Sequence, residues 1–381
     1  MDFELSEEQQ RFRDSVSGFA RRFLQKGALE RAHSDAYPHD VARQMAAEGL
    51  FGIAFPESAG GQGGTLMDAV LAIEAVAAYC PRSADVIQAG NFGPVRVLAE
   101  HASEAQRERF LKPLLAGGAL ISVGMTEPEA GSAVTDLETT ATPDGDGYRI
   151  NGTKVFTTHG PYADFILAYV RFAKGIDGIG SVIVEKGAEG FSYGRPTRFL
   201  SGDEWAQLYF EDVYVDAEQV LLGPGGFKKQ ISGFNVERIG NAARSLALGR
   251  YAYDAARVYA KERTQFGRPI CEFQGIQWKF AEMKMRLEAA GLLLYRAASR
   301  ADGGVPSAED TAIAKAYCNR VGFEAASEAL QVMGGAGYSL DSLVEYCFRR
   351  TRGWMIAGGS VEILKNRIAE GVFERRFRQR P

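Results

Sequence analysis

The sequence predicts a mainly helical protein with a central antiparallel β-domain. Three observations carry that expectation. Apolar residues recur at helical spacing, with cap signals, up to about residue 120. β-rich runs broken by Gly, Asp and Pro follow to about residue 225. Beyond Gly226 lie only Pro269, Pro306 and Pro381 of the 13 prolines, so long unbroken helices are expected there. The expected domains are 1–120, 121–225 and 226–381, in keeping with a length of 381 residues.

In the first zone, Ser6 with Gln9 and Ser103 with Gln106 have the form of a capping box, in which side chains satisfy free backbone N–H groups. Phe12, Val16, Phe19 and Phe23 then repeat at helical spacing. The glycine-rich stretch from Pro56 to Gly64 reads as a loop. In the second zone, Asn151-Gly152 between Tyr148–Ile150 and Thr153–Thr158 predicts a hairpin turn. Phe165–Val170, Ser181–Val184, Leu208–Phe210 and Val213–Val215 are further strand candidates. In the third zone, residues 231–263, 273–300 and 307–333 carry apolar positions at i, i+3 and i+4. Their apolar coverage is broad enough for a bundle that also packs against other subunits.

Composition narrows the function. The chain is 46% hydrophobic and 24% charged, which excludes wholesale disorder. Its net charge of −4 argues against a nucleic-acid binder. No apolar stretch reaches the ~18–20 residues that span a bilayer, and the start, MDFELSEEQQ, carries acids where a targeting peptide carries bases. A cytoplasmic protein without membrane attachment is expected. Cys80, Cys271, Cys318 and Cys347 lie far apart and only four histidines are present, so neither disulfides nor a metal site is expected.

Two segments could carry chemistry. Met125-Thr-Glu-Pro-Glu-Ala-Gly-Ser132 offers hydroxyls, backbone N–H groups and a glycine that permits close approach. On residue types alone it is either a ligand cradle or a plain turn, and both readings stand. Lys154–Thr158 adds an aromatic ring and two hydroxyls.

Taken together, MDFELSEEQ, MTEPEAGS, GYRINGTKVFTT, FEDVYVDAEQVLL, YAKERTQFGRPI, EFQGIQWKFAEM and QVMGGAGYS resemble the acyl-CoA dehydrogenase family, in its order and near its spacing, along nearly the whole chain. The resemblance implies an N-terminal helical domain, a β-barrel-like central domain and a C-terminal four-helix bundle, with FAD held between the last two. It places Met125 and Thr126 at the flavin ring, Gly131 and Ser132 near the pyrophosphate and acyl-CoA, Phe156 against the flavin, and Thr158 at its edge. Arg263, Gln265, Phe266, Gln331 and Gly335 match contacts to the FAD of a neighbouring subunit, and Ser360 another cofactor contact. Phe156 stands where Trp is common, which keeps a flat apolar wall. Ala133 replaces the usual Asp after Gly-Ser. His159 replaces an Asn beside the hairpin hydroxyl, where it either tunes the flavin or lies exposed to water.

The implied reaction takes a proton from Cα of an acyl thioester and a hydride from Cβ, the hydride passing to flavin N5. It needs a carboxylate within hydrogen-bond reach of the α-proton, in a pocket that raises its pKa. In much of the family this glutamate lies near the C-terminus, but here that position is Gly358. The isovaleryl-CoA and long-chain members place the base on the first bundle helix, before an Arg, and Glu237 before Arg238 fills that slot. The other reading is a solvated helix acid in a protein that has lost dehydrogenation. Gly358 retains the N–H that the family uses to polarise the thioester carbonyl. Glu362, four residues on, is a less favoured substitute base.

Arg82 matches an arginine with which glutaryl-CoA dehydrogenases bind a distal carboxylate; read from residues alone, a surface arginine is equally open. Asn235 and Arg238 match positions facing CoA. The resemblance implies an acyl-CoA substrate with a branched, aryl or dicarboxylic acyl group, an electron-transferring flavoprotein as electron acceptor, and a homotetramer built as a dimer of dimers. Other flavin chemistry on the same scaffold stays open: carrier-protein-bound substrates, enoyl-CoA reduction, desulfination or oxygen-dependent reactions. So does a non-catalytic assembly role.

Overall fold

A computed structural model describes residues 4–301 and 305–377. They form a helical N-terminal region, a β-rich middle and a helical C-terminal region. By internal packing the chain divides into two compact units. One comprises the described parts of 1–34, 65–88 and 235–381, the other 35–64 and 89–234.

The second unit is built on a sheet of strands β1 (Ile121–Gly124), β2 (Thr140–Asp144), β3 (Gly147–Thr158), β4 (Phe165–Arg171), β5 (Ile179–Glu185), β6 (Phe191–Tyr193), β7 (Thr197–Arg198), β8 (Glu204–Val215) and β9 (Val220–Leu222). Its main path runs β6-β8-β3-β2-β4-β5-β9, with β1 on β4 and β7 on β8. The sheet is open rather than a closed barrel, and antiparallel except where β1, and one residue pair of β2, run parallel to β4.

β4 is apolar almost throughout because it is covered on both faces. Ile166, Ala168 and Val170 meet Ile150, Val182, Leu208 and Val213 on one side. Leu167 on the other side packs with Leu98, Phe110 and Leu114 from helices.

The hairpin is not where Asn151-Gly152 predicts it. β3 runs straight through both residues, and the chain reverses earlier, where Asp144 pairs with Gly147 across Gly145-Asp146. Gly152 is required for a different reason. A Cβ there would lie 2.5 Å from the Thr139 hydroxyl. Asn151 bonds Asp212 on β8 through both ends of its amide, at 2.8 and 2.9 Å, beside a bulge.

The first unit is helical. Its longer helices are α1 (Glu7–Phe23), α2 (Leu66–Ala77), the start of α3 (Ala84–Asn91), most of α4 (Phe227–Glu262), α5 (Gln274–Ser299), α6 (Ala308–Met333), α7 (Leu343–Trp354) and α8 (Val361–Val372). The expected capping box at Ser6 opens α1, and the one at Ser103 opens a short helix of the other unit. Cys80, Cys318 and Cys347 are buried and Cys271 is partly so; none is disulfide-bonded.

α4 and α6 cross with their backbones nearly touching. A Cβ on Gly249 would come within 2.8 Å of Gly322 Cα, and one on Gly322 within 2.3 Å of the Ser245 carbonyl oxygen. This crossing fixes the register that sets Asn241 on α4 opposite Asn319 on α6, at 3.0 Å. Gly322→Ala should cost about 2–3 kcal/mol through overpacking, read as a lower denaturation midpoint at unchanged slope. An unchanged midpoint would contradict so tight a crossing.

Candidate active site

In the helical unit, Glu237 points from α4 into a cluster of donors. Its Oε2 accepts from Gln88 Nε2 on α3 at 2.6 Å, and its Oε1 lies 3.8 Å from Arg244, two turns along α4. Burial raises the carboxyl above its ordinary value, while Arg244, Gln88, Lys315 and Arg238 pull the other way. Only 21% of the side chain meets solvent, so Glu237 is not a freely solvated helix acid.

Lys315 on α6 is wholly buried, and its Nζ donates to the carbonyls of Trp354, Ala357 and Gly359 at 3.2, 2.8 and 2.9 Å. Burial pushes it down to about 7, with Arg238 and Arg244 adding to the shift and Glu237 opposing it. Arg238 Nε donates to the Gly358 carbonyl at 3.2 Å, and its Nη1 to Asn235 Oδ1 at 3.3 Å. Successive carbonyls of the α7–α8 loop are therefore held by cations. In a planar trans peptide the N–H points opposite the carbonyl. With the Ala357 carbonyl on Lys315, the Gly358 N–H is turned away from that ammonium. Gly358 has φ +69° and Gly359 φ +88°, which side chains rarely adopt.

Beside Glu237 lies a second charge cluster. Asp85 accepts from Arg82 at 3.2 Å, Arg244 at 2.8 Å and Arg350 at 3.0 Å, with the Tyr346 hydroxyl at 3.4 Å. Burial alone would raise the Asp85 carboxyl, but Arg350, Arg244 and Arg82 outweigh it and hold it far below the carboxylate range. Three guanidiniums thus converge on one carboxylate. Arg244 and Arg350 also sit over the Trp354 ring at 4.9 and 5.1 Å. Arg82 is only 4% exposed, which overturns the reading of a surface arginine.

Other expected positions are peripheral to this cluster. Arg263, Gln265 and Phe266 lie on an exposed hairpin in which Thr264–Gln265 pairs with Arg268–Pro269 and the Phe266 ring is 94% exposed. Gln331 and Gly335, near the end of α6, are exposed. Ser360 caps α8. Glu362 is exposed, its carboxyl lowered by its own backbone N–H and by Ser360, so it lacks the environment of a base.

In the β-unit, Met125–Ser132 follows β1 as expected. Glu127 anchors it: its buried carboxylate takes Lys154 Nζ at 2.6 Å, the Thr139 N–H at 3.0 Å and the Thr139 hydroxyl at 2.5 Å. The Val155 N–H donates to the Thr126 carbonyl at 2.8 Å, joining the loop to β3. Burial pushes Lys154 down to about 8 against the attraction of Glu127. Met125 and Thr126 are half-buried; Gly131 and Ser132 are exposed.

A second bulge lies between Lys154 and Thr157, and Phe156 has φ +58° within it. The Phe156 ring is 55% exposed and lies 4.6 Å from the Trp205 ring. The buried Thr157 hydroxyl has no hydrogen-bond partner among the described residues, and Thr158 is half-buried. An open aromatic face beside threonine hydroxyls suits a flat conjugated ring with polar edges, so these residues fit a flavin. His159 is not water-exposed: its side chain is 12% exposed, with Nε2 3.8 Å from Asp203 and the ring 6.0 Å from Tyr37.

Sequence reading missed Gln88, Asp85, Arg244, Lys315 and Arg350. A partial signal existed for two of them. Asp85 is three residues from Arg82, and Arg244 is seven from Glu237, two helical turns along one face.

Models of the acyl-CoA dehydrogenase N-terminal, middle and C-terminal domains match residues 6–118, 122–213 and 224–373. The short-chain specific acyl-CoA dehydrogenase of Clostridium acetobutylicum is 34% identical over 98% of this chain and all of its own. The 3-sulfinopropanoyl-CoA desulfinase of Paraburkholderia xenovorans is 32% identical over 99% of each. A chain solved in work on the electron transferring flavoprotein of Acidaminococcus fermentans and flavin-based electron bifurcation superposes with TM-score 0.91. It is 33% identical and covers 98% of this chain and 99% of its own. With all three family models matched in order, the chain belongs to the acyl-CoA dehydrogenase family, enzymes of acyl-CoA dehydrogenation and reduction.

Proposed function

We propose that this protein is an FAD-dependent acyl-CoA dehydrogenase in which Glu237 is the base that takes the α-proton. The observation that carries this reading is a carboxyl held away from bulk water, raised by burial and kept ionisable by Arg244 and Gln88. Such a group is a stronger base than a solvated carboxylate and is not quenched by a tight ion pair. No carboxylate is available at Gly358. Its N–H, turned away from Lys315 by the Ala357 peptide, is the donor for the thioester oxygen. Polarising that oxygen acidifies the α-proton that Glu237 removes.

Met125, Thr126, Gly131, Ser132, Phe156 and Thr158 hold FAD. Arg263, Gln265, Phe266, Gln331 and Gly335 reach the FAD of another subunit in a homotetramer, and Ser360 adds a further contact. FAD, when bound, accepts the Cβ hydride, and an electron-transferring flavoprotein reoxidises it. Ser132 meets the acyl-CoA, and Asn235 and Arg238 meet the pantetheine and adenine end of CoA. The flavoprotein work in which a similar chain was solved supports the electron acceptor.

The acyl group is branched, aryl-substituted or dicarboxylic, and the guanidiniums gathered at Asp85 favour the last, with Arg82 as the anion's partner. A second reading, expulsion of an anionic group from the acyl chain, draws on the same guanidiniums and on the desulfinase relative. It would release the anion without flavin reduction.

Glu237→Gln should keep its yellow FAD while flavin bleaching by acyl-CoA slows about 10²–10⁴-fold. In the wild type, bleaching should weaken as the pH falls through the raised Glu237 pKa, because only the carboxylate accepts a proton. An unchanged rate in the variant sinks the assignment. Arg82→Ala should reduce the preference for a dicarboxylyl-CoA over a plain acyl-CoA about 10–100-fold, the size of a lost charge-assisted hydrogen bond. A preserved ratio of kcat/KM values would remove Arg82 from specificity.

A further inference from the structure

Gln88 sits on the α3 helix with only 5% exposure, and its amide is half used. Nε2 donates to Glu237 at 2.6 Å, whereas Oε1, also buried, has no hydrogen-bond partner among the described residues. Uptake of a proton by Glu237 converts one carboxylate oxygen from acceptor to donor, and that donor then needs an acceptor. Arg244 faces the other oxygen, and Arg238 and Lys315 complete the charged surroundings of the carboxyl. Guanidinium groups have no acceptor to offer. Lys315, besides, is committed to three backbone carbonyls. Asp85 is already surrounded by Arg82, Arg244 and Arg350. Among these neighbours, the unused acceptor is Gln88 Oε1.

We propose that Gln88 is a positioning residue that serves both protonation states of Glu237. Its N–H holds the carboxylate before proton transfer, and a half-turn of the same amide presents Oε1 to the carboxylic O–H afterwards. This rests on Glu237 being the base. The proton moves from substrate Cα to Glu237 Oε2, and Gln88 exchanges one hydrogen bond for another without gaining or losing a proton. Without the amide, the carboxylate loses a donor and the acid loses its acceptor. The carboxylate's loss is the larger, because hydrogen bonds to ions are the stronger.

The test measures flavin reduction by an acyl-CoA across pH in FAD-loaded wild type, Gln88→Met and Glu237→Gln. Gln88→Met, close in shape, should move the acid limb of the profile upward by about one pH unit while the flavin spectrum is kept. A purely structural role would lower the rate at every pH and leave the limb in place, and an unmoved limb overturns the proposal. If Glu237→Gln reduces its flavin as fast as wild type, the base assignment itself fails, which is a separate outcome. Should Gln88→Met not fold, Gln88→Glu carries the test. Two carboxyls in hydrogen-bond contact must titrate as a coupled pair, giving two ionisations on the acid side; one unshifted ionisation overturns the proposal.

Discussion

A carboxylate removed from water must be neutralised or compensated by charge. At Glu237 the compensation is deliberately partial. Arg244 stands at 3.8 Å, beyond a direct hydrogen bond, because Asp85 holds one of its amino groups at 2.8 Å. A close bidentate pair would have pulled the Glu237 pKa below the ordinary range and removed its basicity. Asp85 thus acts on Glu237 through Arg244, and its own low pKa is the counterpart of the raised one. Much of the helical unit can be understood as what keeps this balance in place.

The backbone does the rest. The Gly249–Gly322 crossing brings α4 and α6 together closely enough for Asn241 to reach Asn319. Lys315, one turn earlier on α6, then gathers the carbonyls of the α7–α8 loop. A side chain with three fixed acceptors orders several peptide units at once, and glycines at 358 and 359 let the chain take the left-handed turn this requires. In the β-unit, Glu127 has the equivalent task. One buried carboxylate organises a loop that hydrophobic packing alone would leave loose, and Lys154 keeps it ionised.

Features governed by local chemistry were legible in the sequence. The boxes at Ser6 and Ser103, the long helices after Gly226, and the strands around Phe165 and Ser181 depend on neighbours a few residues away. The Asn151-Gly152 signal misled because both residues serve a cross-strand purpose: Asn151 reaches Asp212, and Gly152 admits Thr139. The outward aim of Phe156 comes from a bulge, which a strand pattern does not reveal. Resemblance proposes Glu237 and Gly358 for the site, and it is silent on what surrounds them. Gln88 precedes Glu237 by 149 residues and Asp85 precedes Arg350 by 265, separations that no spacing rule covers. Arg82 illustrates the limit well, since one of its partners is Tyr346 on α7, far along the chain.

The most direct measurement is a crystal structure of the FAD-loaded enzyme with a slowly reacting acyl-CoA. The Glu237 carboxylate should lie about 3–3.5 Å from the substrate's α-carbon, with the Gly358 N–H on the thioester oxygen. A Glu237 side chain directed into bulk solvent, with the α-carbon facing some other group, would contradict the account.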